Sequence, residues 1–439
     1  MNKIVKNRVT RILEKYNIDE NKEKYYKKET SFQRIKSQKM KFDDIIMFTL
    51  SNAGKTLSLQ LLDYFNMQGN IENIVTKQAI SKQRQNIKYE IYEDMNKDYF
   101  NDIYSYRNNK LGKYNLIAVD GSTIEIPNTK YMKETFGEAK ASDTSVSNAR
   151  ASITGFYDAL NNIMIKLVVD KYHTGEKTMF LNYIDEVIEI LGKDIIFIFD
   201  RGYISLELLI KLDELGVKYL FRVPSYCYKK EIQLAKSKDE NIEINITKSR
   251  LKNFNKDEVS KYLSMEYKTE RLVQIELKTD EIEYLITNLT KDEVEYDKMK
   301  NLYYTRWNIE KVFNLLKNRL HIENISARTK NGILQEIYAT IFLGNIIEDF
   351  IYAINKDKGN IKENKEIRVN INLLAGTIKM YFIYLFSLND IHKKTKEYYY
   401  KELLKFICNR LITIRKGNKN PRNKKVSRNK YKTNIRKNY

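Results

Sequence analysis

Two apolar runs each end in an aspartate that a glycine follows within two residues. Leu116-Ile117-Ala118-Val119 leads into Asp120-Gly121, and Ile195-Ile196-Phe197-Ile198-Phe199 leads into Asp200-Arg201-Gly202. Open α/β sheets carry their sites at the carboxyl ends of strands, and glycine lets a ligand approach the backbone there. Either pair alone is more often a simple turn. A third acid, Glu310, lies in an amphipathic stretch from Lys298 to Leu320 that predicts one long helix. With Tyr303 set at zero and about 100° per residue, Arg306 falls at about −60°, Glu310 at about −20° and Lys317 at about −40°. Ile309, Val312, Phe313, Leu316 and Leu320 take the packing side. A solvated face with Arg and Glu at i and i+4 would give the same stripe. Taken together, Asp120, Asp200 and Glu310 could hold two Mg²⁺ ions about 4 Å apart, which activates a water or 3′-hydroxyl and stabilises the leaving oxygen in phosphodiester cleavage. Arg306 and Lys317 would neutralise the flanking phosphates.

The elements that must position these residues follow from pattern. Residues 1 to about 105 read as helical, with apolar helix-like spacing over Phe42 to Leu50 and Leu57 to Phe65 and a polar helix starting at Thr76, a good N-cap. From Leu111 the texture changes to buried-strand runs. Ser152 to Tyr157 and Ile163 to Val169 read as a hairpin about Asn161-Asn162; helices follow over Gly175 to Leu191 and Leu206 to Leu215, and Tyr219 to Val223 is a further strand. This order predicts an α/β sheet with parallel and antiparallel pairs. Between Ser225 and Thr290 the apolar residues alternate, as in Ile242, Ile244 and Ile246, and strands are predicted about the turn Thr279-Asp280. The segment reads as a β-rich insertion. Ile333 to Ile354 is a second long helix.

Composition narrows the class. The 439 residues include 78 Lys+Arg against 57 Asp+Glu, a net charge of +21, with 42% hydrophobic content. A mostly disordered chain is excluded. Cys227 and Cys408 lie far apart and only three His are present, so neither a disulfide framework nor a set of structural zinc sites is available. A reducing, cytoplasmic setting is expected. The first residues offer no apolar core for a secretion signal, and Asn345, Glu348 and Asp349 interrupt the most apolar stretch, so no membrane span is expected. The positive charge suits a polyanion such as nucleic acid, although abundant Lys, Asn, Ile and Tyr is also what AT-rich codon usage produces. That charge is not spread evenly. Residues 1–41 hold +8 and the last 25 residues +11, which leaves a nearly neutral centre between two basic arms.

Asp120-Gly121-Ser122, Asp200-Arg201-Gly202-Tyr203 and the run Tyr303-x2-Arg306-x3-Glu310-x6-Lys317, with Trp307 after the arginine, resemble the DDE transposases of the bacterial insertion-sequence-four type and their YREK signature. The resemblance covers about Leu111 to Ile354. It implies a ribonuclease H-like catalytic domain (111–224 and 291–354) with a β-rich insertion (225–290), a helical N-terminal DNA-binding region (1–105), a helical C-terminal region (355–414) and a basic tail (415–439). It also implies cut-and-paste transposition by a homodimer that bridges two transposon ends in a synaptic complex, commonly through a hairpin on the end. DNA is then the partner, as terminal inverted repeats and as target, and Mg²⁺ the cofactor, with Mn²⁺ able to substitute. Asp120, Asp200 and Glu310 carry over as metal ligands and catalytic residues. Tyr303, Arg306 and Lys317 carry over as DNA contacts, and Arg201 is placed with them. Some relatives stack a flipped base on an aromatic of the insertion, often Trp; here that role would fall to Tyr226, Tyr228, Phe254, Tyr262 or Tyr267. Two alternatives stay open: a host-adapted derivative that binds DNA without transposing, and a nuclease of the same fold that performs no strand transfer.

Weaker signals carry less. Gly54-Lys55-Thr56 ends like a phosphate-binding loop, but Thr49 stands where that motif needs glycine and no buried strand precedes it, so ATP binding is dismissed. The helix from Thr76 presents Gln78, Lys82 and Arg84, residue types that read purine edges and phosphates in the major groove. A merely solvated helix fits equally well, and the resemblance favours end-DNA binding. His173, His321 and His392 are scattered and are read as structural or surface residues.

Overall fold

A computed structural model describes residues 3–29, 31–32, 39–52, 54–139, 147–277, 281–358, 367–387 and 393–413. The basic tail, His392 and the turn Thr279-Asp280 lie outside them. In chain order the first elements are α1 (Ile4–Asn17), α2 (Asp19–Glu23), α3 (Phe42–Leu50), α4 (Leu57–Met67), α5 (Lys77–Arg84), α6 (Glu90–Tyr104), β1 (Asn115–Glu125), α7 (Lys130–Phe136), β2 (Glu138–Ala139), β3 (Asn148–Asp158) and β4 (Ile163–Lys171). Next come α8 (Glu176–Leu191), β5 (Ile195–Phe199), α9 (Leu206–Leu215), β6 (Lys218–Val223), α10 (Lys229–Gln233), β7 (Asp239–Asn245), α11 (Lys256–Leu263), β8 (Tyr267–Glu276) and β9 (Ile282–Thr287). The last are α12 (Tyr296–Tyr304), α13 (Trp307–Asn318), α14 (Lys330–Lys358), β10 (Ile367–Arg368), α15 (Ile371–Phe386), α16 (Lys393–Cys408) and β11 (Ile412–Thr413).

The chain divides into two compact units. One is helical and comprises residues 1–102, 126–135 and 314–439; the other is built on a sheet and comprises 103–125 and 136–313. The helices of the N-terminal region thus share a unit with the chain after residue 314.

Among the described residues the sheet has nine strands in the order β2-β3-β1-β5-β6-β9-β8-β7, with β4 also paired to β3. β1, β5 and β6 run parallel and the other pairings are antiparallel, so the molecule has the mixed α/β sheet that the sequence predicts. All five residues of β5 are fully buried, as a central strand covered on both faces requires. Phe180 of α8 meets Phe197 and Phe199 edge-on at 5.3 and 4.9 Å, and Phe199 stacks on Phe221 of β6 at 4.4 Å. Each such ring contributes roughly 1.5–3 kcal/mol by leaving water. The short helix α9 is delimited by local chemistry: the Ser205 hydroxyl accepts a hydrogen bond from the Leu208 amide, and Gly216 closes the helix in the left-handed conformation.

Three features differ from the sequence reading. β1 does not stop at Asp120 but runs on to Glu125, because β3 beside it continues the ladder as far as Glu125↔Arg150. The alternating segment after residue 225 supplies β7, β8 and β9 together with α10 and α11, and β9 pairs with β6, so these strands extend the same sheet. The single helix expected from Lys298 to Leu320 is two helices, α12 and α13, parted at Thr305-Arg306 by tight hydrogen bonds from the Thr305 amide to Leu302 O and from the Arg306 amide to Tyr303 O. A single helical wheel therefore does not run through this break, although Arg306 and Glu310 still meet at i and i+4.

The helical unit packs around α14. This helix is long and apolar enough to cross a membrane, yet 72% of its most apolar window is buried within the protein. Its polar residues are matched: Asn345 donates to Asn96 at 2.7 Å, and Asp349 takes an ion pair from Arg8 and a hydrogen bond from the Tyr99 hydroxyl at 3.0 Å. Buried polar groups satisfied in this way belong to a protein core.

Candidate active site

Register brings the two aspartates together. The parallel pairing of β1 with β5 ends at Val119↔Phe199, so Asp120 and Asp200 are the next residue on each of two adjacent strands. Neighbouring strands are about 4.8 Å apart, which places the two backbones side by side at the edge of the parallel pairing. Asp120 stays in the ladder with β3, while Asp200 begins a turn that the Tyr203 amide closes onto its carbonyl at 3.1 Å.

The glutamate arrives on α13, and a glycine lets that helix come close. Gly155 pairs with Asp120 across β1 and β3, so the two residues share a sheet face. A Cβ at Gly155 would stand 3.3 Å from Ile309 Cδ1 and 3.2 Å from Met164 Cε. Ile309, fully buried, thus seats α13 against the strand that neighbours Asp120, and Glu310 is the next residue.

The α12–α13 break aims the remaining groups. Tyr303, 1% exposed, donates its hydroxyl to Asp200 Oδ1 at 3.3 Å. Arg306 is buried and stands between two of the acids, with Nη2 3.0 Å from Glu310 Oε1 and Nη1 3.7 Å from Asp120 Oδ2; its Nε has no partner. Arg222 of β6 bonds Glu283 at 2.9 Å and approaches Asp200 at 3.8 Å. Burial pushes the Asp120 carboxyl up to about 6; Arg306 opposes the rise, and Glu176 and Glu310 add to it. Burial likewise raises Glu283, against the pull of Arg222.

The structure thus brings together Asp120, Asp200, Glu310, Tyr303 and Arg306. Arg201 is exposed beside Asp200, and Lys317 is half-buried seven residues beyond Glu310 on α13. Gln78 and Lys82 are exposed on α5. Arg84 is a correction. Its guanidinium is buried and is spent on Glu336 at 2.8 Å, Gln335 and the Gly332 carbonyl at 3.3 Å each, and Ser326 at 3.5 Å, so it presents nothing to a DNA groove. Of the aromatics considered for base stacking, Tyr228, Phe254 and Tyr262 are buried, while Tyr226 and Tyr267 are exposed. Glu176, Glu283 and Arg222 have no signal in the sequence, because no motif or period singles them out.

Carboxylate oxygens without His or Cys are the donor set that a hard divalent cation takes, so the residues present fit such an ion. Among the described residues no three acidic, His or Cys side chains converge tightly enough to hold a metal as they stand. Arg306 occupies the place between Asp120 and Glu310 and supplies the positive charge there.

No curated protein matches the chain. Among solved structures, the cryo-EM structure of a piggyBac transposase synaptic complex with hairpin DNA is similar over 82% of this chain and 74% of that one, at 9% identity and a TM-score of 0.39. Residues 111–346, more than half of the sequence and containing all three acids, match the family described as the transposase DDE domain. On this match the chain belongs to the DDE-domain transposases, enzymes of DNA transposition in mobile elements.

Proposed function

We propose that the protein is a Mg²⁺-dependent cut-and-paste transposase of the insertion-sequence-four type, with a ribonuclease H-like core and the YREK signature at Tyr303, Arg306, Glu310 and Lys317. The observation that carries the reading is the meeting of Asp120 and Asp200 at the end of the β1–β5 pairing with Glu310, which Arg306 links to Asp120. DDE transposases use divalent metal ions. Bound by Asp120, Asp200 and Glu310, Mg²⁺, or Mn²⁺ in its place, would activate the attacking oxygen and stabilise the leaving one. Tyr303 fixes the Asp200 carboxylate. Arg306 neutralises the acids until the ion and the DNA phosphates arrive, and then serves the phosphates. Lys317 and Arg201 contact the DNA backbone near the scissile bond. In this reading Gln78 and Lys82 on α5 contact the terminal inverted repeats, two copies of the chain bridge a pair of ends, and the enzyme works in the cytoplasm on nucleoid DNA. The test is Glu310→Gln. It should abolish cleavage of end DNA in Mg²⁺ and Mn²⁺ and leave end binding largely intact; robust cleavage by this variant would sink the assignment. Pre-cleaved ends should be joined to target DNA by the wild type, and absence of joined product would reduce the activity to that of a nuclease.

A further inference from the structure

Glu176 opens α8 directly after Gly175, and an acid in the first turn of a helix is ordinarily accounted for by the helix dipole. Its position asks for more than that. The Glu176 carboxylate lies over the backbone of Gly121, the residue next to Asp120, so closely that a Cβ on Gly121 would overlap it. There it acts electrostatically on Asp120 and is itself acted on by Asp200. Among the described residues no Lys or Arg forms an ion pair with Glu176, and the neighbouring Lys177 gives its ammonium to the Ile204 carbonyl. The Tyr203 side chain nearby is buried, 1% exposed. Its hydroxyl faces Glu176 and Asp120, with Glu176 as its nearest acceptor, but closes no hydrogen bond of normal geometry. Arg306 and Arg222 stand only at 3.7 and 3.8 Å from Asp120 and Asp200, and Glu176, exposed and with no ion pair among the described residues, adds a further negative charge beside Asp120 that a positive ion would offset.

We infer that Glu176 is a fourth carboxylate of the metal site, acting with Asp120 and Asp200 on the divalent ion, and that Gly121 is glycine so that this carboxylate can reach it. The inference rests on the proposal that Asp120 and Asp200 bind the ion, and the experiment separates the two. The full chain is titrated with Mn²⁺ and the free ion is followed by electron paramagnetic resonance. Glu176→Gln should raise the Mn²⁺ dissociation constant about tenfold, Asp200→Asn at least as much, and Glu176→Asp less. Gly121→Ala, which keeps every acid but evicts the Glu176 carboxylate, should resemble Glu176→Gln. In metal-free buffer Glu176→Gln should melt no lower than the wild type, since it removes a repelling charge; a purely structural role predicts a lower melting temperature. Unchanged Mn²⁺ affinity in Glu176→Gln with weakened affinity in Asp200→Asn would overturn the role of Glu176 and leave the site in place. Unchanged affinity in both would overturn the site as well.

Discussion

Arg84 and Arg306 are both buried arginines on or beside a helix, each pairs with a glutamate, and the residue types at both positions suit phosphate binding. Their surroundings separate them. Every nitrogen of Arg84 has a partner, and its glutamate, Glu336, is as buried as the arginine, each side chain 5% exposed. Arg306 leaves Nε unpaired, holds Asp120 only at 3.7 Å, and bonds a glutamate whose side chain is 56% exposed. A saturated buried charge ties a fold together. An incompletely used one among acids remains available to an incoming group.

The largest effect expected from this contrast is on folding. Arg84→Met leaves Glu336 buried and unpaired and should cost about 3–5 kcal/mol of stability in denaturant unfolding, while the folded fraction cleaves DNA at the wild-type rate. Arg306→Met should do the reverse. Cleavage should fall about a hundredfold, the scale of a lost electrostatic contact in a transition state, and stability should change by about 1 kcal/mol or less because its partners are partly exposed. An Arg84 variant that folds normally but cannot cleave would collapse the distinction.

A third charge grades the same contrast. Lys379 of α15 is buried, donates to the Leu320 carbonyl at 3.0 Å, and burial lowers it to about 8. Below pH 8 the folded protein must hold this lysine charged in a poor environment. Between pH 8 and the usual lysine value the folded state gives up the proton while the unfolded state keeps it, so the penalty fades as pH rises. Lys379→Met should therefore stabilise the protein at pH 7 by on the order of 1–2 kcal/mol, a gain that thermal melting should show disappearing toward pH 10. The smallest effect is expected at the surface. Lys82→Ala, on the exposed side of α5, should lower the slope of log affinity for DNA against log salt by about one, with no change in melting; an unchanged slope would remove α5 from the interface.

What could be read in the residues was local. The limits of α3 and α9 fall where capping and periodicity put them, Thr76 caps α5 by accepting from the Ala79 amide, and the apolar run of β5 is the central strand it promised to be. The three acids were legible because an apolar strand leading to Asp-Gly, and a glutamate four residues after an arginine, are short-range patterns. The break at Thr305-Arg306 was not legible, since neither Gly nor Pro marks it and the helical period continues across it. The passage of β1 through Asp120 was set by β3, and the burial of Arg84 by a glutamate 252 residues away.

The sequence by itself therefore determined which residues could bind a metal and where most helices and strands begin, because those choices depend on side chains within a turn or two. Only the tertiary structure decided that Asp120 and Asp200 lie level, that Arg306 turns into the acids while Arg84 turns into a core, and that Glu176 leans over Gly121. Strand register, helix docking and the burial of a charge are settled by partners far along the chain, whose positions no local pattern encodes.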